Sequence, residues 1–118
     1  MPETAVEPVL WTEVERPAPN VIVVRCHGRL VSGGADDLLY RTVKELMPST
    51  PRIVLDLADL KHTDSMGLGT LVRLYVAGKS AGCRVELMHL NKQIRHLLGL
   101  TNLFDVFTVI GENGVKFM

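Results

Sequence analysis

The sequence predicts an α/β fold: a mixed sheet of about five strands that starts with an N-terminal hairpin and has helices packed against it. Three features lead there. Two runs rich in β-branched and apolar residues, VLWTEVE (9–15) and NVIVVRCHGRL (20–30), flank a Pro17-Ala18-Pro19 breaker, the pattern of a hairpin. The run IVLDL (53–57) is a short apolar strand of the kind found mid-sheet, covered on both faces. Beyond the hairpin, helix-like and strand-like segments alternate, as when parallel strands are joined by right-handed crossovers. With 118 residues, 47% of them hydrophobic, the chain has the size of one compact domain spanning 1–118, with its core between about 9 and 110.

Side chains alternate along a strand, so in the second hairpin run Val24, Cys26, Gly28 and Leu30 point one way and Val23, Arg25, His27 and Arg29 the other. The partly basic row is either a solvated face of an open sheet or a docking stripe. Ser32 then stands as a helix cap, followed by Gly33 and Gly34. Ala35, Leu38, Leu39, Val43, Leu46 and Met47 fall on one side of the helix, which Pro48 stops. From Leu68 the apolar spacing through Leu71, Val72, Tyr75 and Val76 is that of a helix, with Gly82 just past its end. VELM (85–88) forms another strand. Asn91 caps a helix carrying Ile94, Leu97 and Leu98 that ends at Gly99, and VFTVI (106–110) is the last strand.

Composition narrows the function. Thirteen basic and thirteen acidic residues balance, which argues against a broad nucleic-acid footprint. No apolar run is long enough to span a bilayer, and MPETAVEP lacks the basic and apolar segments of a secretion signal, so a cytoplasmic location is expected. Cys26 and Cys83 are far apart in strand-like segments, with no Cys/His pair at ligand spacing. They read as buried free thiols, and no metal or cofactor is expected.

One stretch resists a purely structural reading: HTDSMGLGTLV (62–72), where a buried strand gives way to a helix. In parallel sheets, ligands and partners meet the loops at the carboxyl ends of strands, which makes Ser65 a candidate by location. GLGTLV begins like a dinucleotide-binding glycine motif, but Val72 occupies the third glycine position and no P-loop lysine is present. A nucleophile elbow would need glycine at 63, where threonine stands, and no spacing orients His62 or His96 as its base. The serine as a phosphate acceptor fits better, because free N–H groups and the helix dipole favour an anion at a helix start. Alternatively, Asp64 or Ser65 is simply the cap. Capping alone does not account for Gly67 and Gly69, each costing a helix about 1 kcal/mol relative to alanine. Either a neighbouring strand packs close there or a partner approaches.

The segment IVLDLADLKHTDSMGLGTLVRLYVAGKSAGCRVEL resembles the STAS domain of bacterial anti-sigma factor antagonists, in which an apolar strand leads to Asp-Ser-x-Gly-Leu at a helix start. CHGRL matches the family's Gly-x-Leu strand end, and HLLGLTNLFDVFTV its downstream helix, loop and last strand, so the resemblance covers nearly the whole chain. It implies a binding module without catalysis: the unmodified antagonist binds an anti-sigma factor, often a serine kinase, and frees a sigma factor. Phosphorylation of the motif serine, here Ser65, ends the interaction, and a phosphatase resets it. Asp64, Ser65, Met66, Gly67 and Leu68 are expected to form one partner surface with Arg29, Ser32, Gly33 and Gly34, because both segments follow strand ends on the same side of the sheet. The chain departs from many phosphorylatable relatives at Val31, where they carry an acidic residue, at polar Lys61 and His62, and in the short tail GENGVKFM. STAS domains also serve as non-phosphorylated accessory subunits of ATP-driven lipid transporters, the alternative role.

Overall fold

The computed structural model describes residues 9–101, 108–110 and 116–117. Two antiparallel strands, β1 (Leu10–Ala18) and β2 (Val21–Leu30), open the chain as a hairpin. Helix α1 (Ala35–Leu46), closed by a 3-10 turn at Met47–Ser49, leads to β3 (Arg52–Thr63). Helix α2 (Ser65–Ala81), β4 (Arg84–Met88) and α3 (Lys92–Leu100) follow, then short strands β5 (Thr108–Ile110) and β6 (Lys116–Phe117). The sheet runs in order β1-β2-β3-β4-β5-β6, with β2 to β5 parallel and an antiparallel strand at each edge.

The α/β class and mixed sheet are as expected, but the strand count is not. Four strands have five residues or more, and the two-residue β6 completes six where about five were expected. A two-residue edge strand has no periodicity to read. It lies within the short tail GENGVKFM. The first two residues of the expected strand 106–110 lie outside the described residues.

The core forms where the apolar stripes of the helices meet one face of the sheet. Ile22, Val24, Cys26, Ile53, Leu55, Leu57, Val85 and Leu87 alternate onto that face, and Leu39, Val43, Leu68, Leu71 and Leu74 cover it. Each of the largest aliphatic chains contributes about 1.5–3 kcal/mol by leaving water.

β3 is longer than the apolar run 53–57. The partner register moves from Arg25–Asp56 to His27–Asp59, and from Gly28–Leu60 to Arg29–His62, each step inserting one extra residue into β3. Such bulges reset the alternation, so Leu57, Leu60 and Thr63 are all buried although their spacing is three. That irregular phase is why a period-two reading stops at Leu57.

α2 also sits rotated from the expected stripe. Leu74 is buried and Val76 is 57% exposed. Two glycines on one side set the rotation: a Cβ on Gly78 would stand 2.4 Å from the Cys83 carbonyl oxygen, and one on Gly67 2.1 Å from that of Leu30. The helix lies against backbone at both ends, through the only side chain small enough. Gly82 ends it in a left-handed conformation (φ 71°), as expected. α3 carries its Asn91 cap but runs through Gly99 to Leu100.

On the other face, Arg25 and His27 of the basic row of β2 are matched by acids from both neighbouring strands. Arg25 pairs with Glu15 and lies 3.6 Å from Asp56. The His27 ring sits between Asp59 (2.6 Å) and Glu13 (2.7 Å) and stacks on Trp11 with ring centroids 5.2 Å apart. Asp59 chiefly, then Glu13, raises the His27 pKa against the opposing pull of partial burial. A raised folded-state value stabilises the fold fully below the unfolded histidine pKa of about 6.5 and is lost as the pH climbs through the higher folded value. Urea titrations of the native chain and His27→Gln should therefore differ most near pH 5.5 and least near pH 9; a gap that widens with pH would contradict this pairing.

Candidate functional site

Strands β2 and β3 end side by side, Leu30 opposite Thr63, and deliver two loops to the same edge of the sheet. Backbone bonds hold the junction: the Asp64 N–H donates to the Leu30 carbonyl at 3.3 Å. The same carbonyl lies over Gly67, which explains that glycine as close packing. Gly69 differs, because a Cβ there meets nothing within 4 Å. Of the two explanations open in the sequence, close packing thus applies to Gly67 and not to Gly69.

Asp64 is the residue on which the site is built. Its backbone is extended (φ −97°, ψ −176°), and Oδ1 accepts the Gly67 N–H at 2.8 Å, closing the first turn of α2. Oδ2 accepts from the Ser32 N–H at 3.1 Å and from the Ser32 hydroxyl at 3.3 Å. These bonds, the Gly67 N–H first and the Ser32 N–H next, hold the Asp64 carboxyl below the usual carboxylate range, so it is ionised at neutral pH.

Ser32 is therefore not the cap of α1. The cap position is Gly34, whose N–H donates to the Asp36 carboxylate at 3.3 Å, while Ser32 reaches across to Asp64. Gly33 and Gly34 both take positive φ (102° and 124°), turning the chain out of β2 into α1 through a conformation that side-chain-bearing residues rarely adopt. A local cap and a bond from 32 to 64 both use serine before a helix, so sequence alone could not separate them.

Ser65 is the first residue of α2. It is exposed, and its hydroxyl has no hydrogen-bond partner among the described residues. Met66 beside it is 57% exposed. Leu38, expected on the buried side of α1, is 39% exposed on the second turn of that helix. Its place on the apolar stripe hid it. Leu68 is buried and so supports the helix start without reaching solvent, whereas Arg29 is exposed at the end of β2. His62 Nδ1 lies 3.0 Å from Gln93 Nε2, and Gln93 Oε1 accepts the Thr63 N–H at 2.9 Å, so α3 braces the end of β3.

The edge thus presents an exposed serine hydroxyl at a helix N-terminus, a fixed carboxylate beside it, apolar Met66, and a glycine loop tied to the same carboxylate. Such a surface can be covered by a protein partner, and the hydroxyl can accept a phosphoryl group without losing a bond. Among the described residues, no group of three or more His, Cys, Asp or Glu could hold a metal ion, and no helix is long and apolar enough to cross a membrane.

Alanine at the two glycines should act in opposite directions. Gly67→Ala should destabilise the fold by about 1–3 kcal/mol through the clash with Leu30, and Gly69→Ala should leave stability unchanged or raise it by up to about 1 kcal/mol. Chemical denaturation distinguishes them, and equal effects would contradict the packing described.

The pattern that defines the STAS domain matches residues 14–113. Among solved structures, an anti-sigma factor antagonist from Mycobacterium paratuberculosis is similar with a TM-score of 0.73 at 25% identity, covering 85% of this chain and 84% of its own. The anti-sigma factor antagonist SpoIIAA in its unphosphorylated form matches at a TM-score of 0.70 and 16% identity, over 87% of this chain and 90% of its own. The phosphorylated form of SpoIIAA, a cell fate determinant of Bacillus, matches at 0.67 and 16%, over 87% and 94%.

Proposed function

This chain belongs to the STAS domain family, and from that premise we propose that it is an anti-sigma factor antagonist whose unmodified form binds an anti-sigma factor with serine kinase activity. Phosphate placed on Ser65 by that kinase ends the interaction, and a serine phosphatase restores it. The domain acts as a binding module and a kinase substrate, and performs no catalysis.

What carries this reading is the division of roles between Asp64 and Ser65. Asp64 caps α2 and ties down the 30–34 loop, while the Ser65 hydroxyl is exposed and bonds to nothing described. A serine spared from capping can be modified without disturbing the fold. SpoIIAA, which has been solved both with and without its phosphate, matches this chain in each form.

The electrostatics favour release. A phosphoserine carries about −1.5 to −2 charges at neutral pH, and here it would adjoin the ionised Asp64. A partner covering Met66 would have to desolvate that charge. Burying an unpaired charge costs several kcal/mol, and about 1.4 kcal/mol is tenfold in affinity. The partner surface in this reading is Asp64, Ser65, Met66, Gly67 and Leu68 with Arg29, Ser32, Gly33 and Gly34. Leu68 contributes by shaping the helix start.

Calorimetry with the purified cognate anti-sigma factor should give Ser65→Ala an affinity within about threefold of the native chain, and Ser65→Glu or the phosphorylated protein a loss of about a hundredfold or more. Peptide mass spectrometry after incubation with the kinase and ATP should place the phosphate on Ser65. Phosphate on another residue, or equal binding by all forms, would overturn the proposal. Equal capture of a transporter ATPase by native and Ser65→Glu baits would establish the accessory-subunit role instead.

A further inference from the structure

Helices α1 and α2 lie side by side on the sheet, and toward their C-terminal ends they leave an open groove of about 450 Å³. Val76, Ala77 and Ala81 of α2 supply its apolar lining, with Ser80 among them. Tyr40 of α1 forms one wall. Two cations stand at its ring: the Arg73 guanidinium carbon is 4.1 Å from the centroid and the Lys44 ammonium 5.5 Å. Both cationic side chains are exposed, and neither pairs with a carboxylate among the described residues.

This contrasts with the charges of the opposite sheet face, where Arg25, His27, Arg52 and Arg84 each meet a carboxylate within the fold. Val76 is 57% exposed although it fits the apolar periodicity of α2. The fold leaves it outside because Gly67 and Gly78 turn the helix the other way. Arg73 lies eight residues beyond Ser65, so at about 1.5 Å per residue the groove begins about 12 Å along the helix from the phosphate-acceptor end.

We propose that this groove is a second docking surface, and that its occupant is an acidic amphipathic segment of a protein partner. Carboxylates of that segment pair with Arg73 and Lys44, and an apolar side chain covers Val76, Ala77 and Ala81. The Tyr40 ring holds the Arg73 guanidinium close by, reducing what must be ordered on binding. Its guanidinium can take a carboxylate through two parallel N–H bonds. A basic segment would be repelled by the same two cations, so the groove selects by charge sign as well as shape.

The test uses the full chain, isotope-labelled for NMR. It is titrated with a synthetic helical peptide carrying leucines on one face and glutamates along its margins, and with the same peptide with lysine in place of glutamate. The acidic peptide should bind saturably, with shifts centred on Tyr40, Lys44, Arg73 and Val76, and the basic one should not. Lys44→Glu with Arg73→Glu should weaken binding at least about tenfold. The milder pair Lys44→Gln and Arg73→Gln should weaken it less, and supplies the comparison if charge reversal disturbs folding. No saturable binding by the acidic peptide, equal binding of both peptides, or shifts centred on Met66 would overturn the proposal. None of these outcomes bears on phosphorylation of Ser65.

Discussion

One carboxylate organises the carboxyl edge of the sheet. Asp64 sends one oxygen to the first turn of α2 and the other to Ser32, so two loops that are far apart in sequence share a single acceptor. Charge-assisted bonds of this kind are about twice as strong as neutral ones, and they act here at a helix start where N–H groups otherwise lack partners. The Leu30 carbonyl completes the joint by accepting from Asp64 and resting against Gly67. With these bonds in place, the serine that follows is left without a structural duty.

The geometry upstream is what brings Asp64 there. β3 passes through two register shifts against β2 before it ends, keeping Leu60 and Thr63 buried. Asn91 caps α3 and also donates to the Leu60 carbonyl at 2.7 Å, so the end of β3 is held from the β4 side as well. Both neighbours of the junction are fixed, which pre-organises a surface for binding at a lower ordering cost.

Much of this was legible in the sequence because the relevant signals are local. The hairpin, the helical period of α2, Gly82 past its end and the Asn91 cap each depend on a few neighbouring residues and stand where expected, although β1 runs on through Pro17 and Ala18 of the expected breaker. The motif at 62–72 singled out the junction for the same reason. What failed was nonlocal. Ser32 looks like a cap until Asp64 is seen to face it, and Val76 looks buried until glycine contacts fix how α2 rotates. The far half of β3 hid behind its bulges, and a two-residue strand gave no pattern. Gly67 and Gly69 are alike in sequence and opposite in space, because only the fold decides which one faces a backbone carbonyl.

The central claim is that Asp64, and not Ser65, holds the helix start and the adjoining loop. Comparing Ser65→Ala with Asp64→Ala by chemical denaturation and amide exchange tests it most directly. Ser65→Ala should stay within about 0.5 kcal/mol of the native stability with unchanged exchange. Asp64→Ala should lower the unfolding midpoint and speed exchange at both the Gly67 and Ser32 amides, the two N–H groups its carboxylate holds. A Ser65→Ala variant as destabilised as Asp64→Ala, or an Asp64→Ala variant with the Ser32 amide still protected, would contradict it.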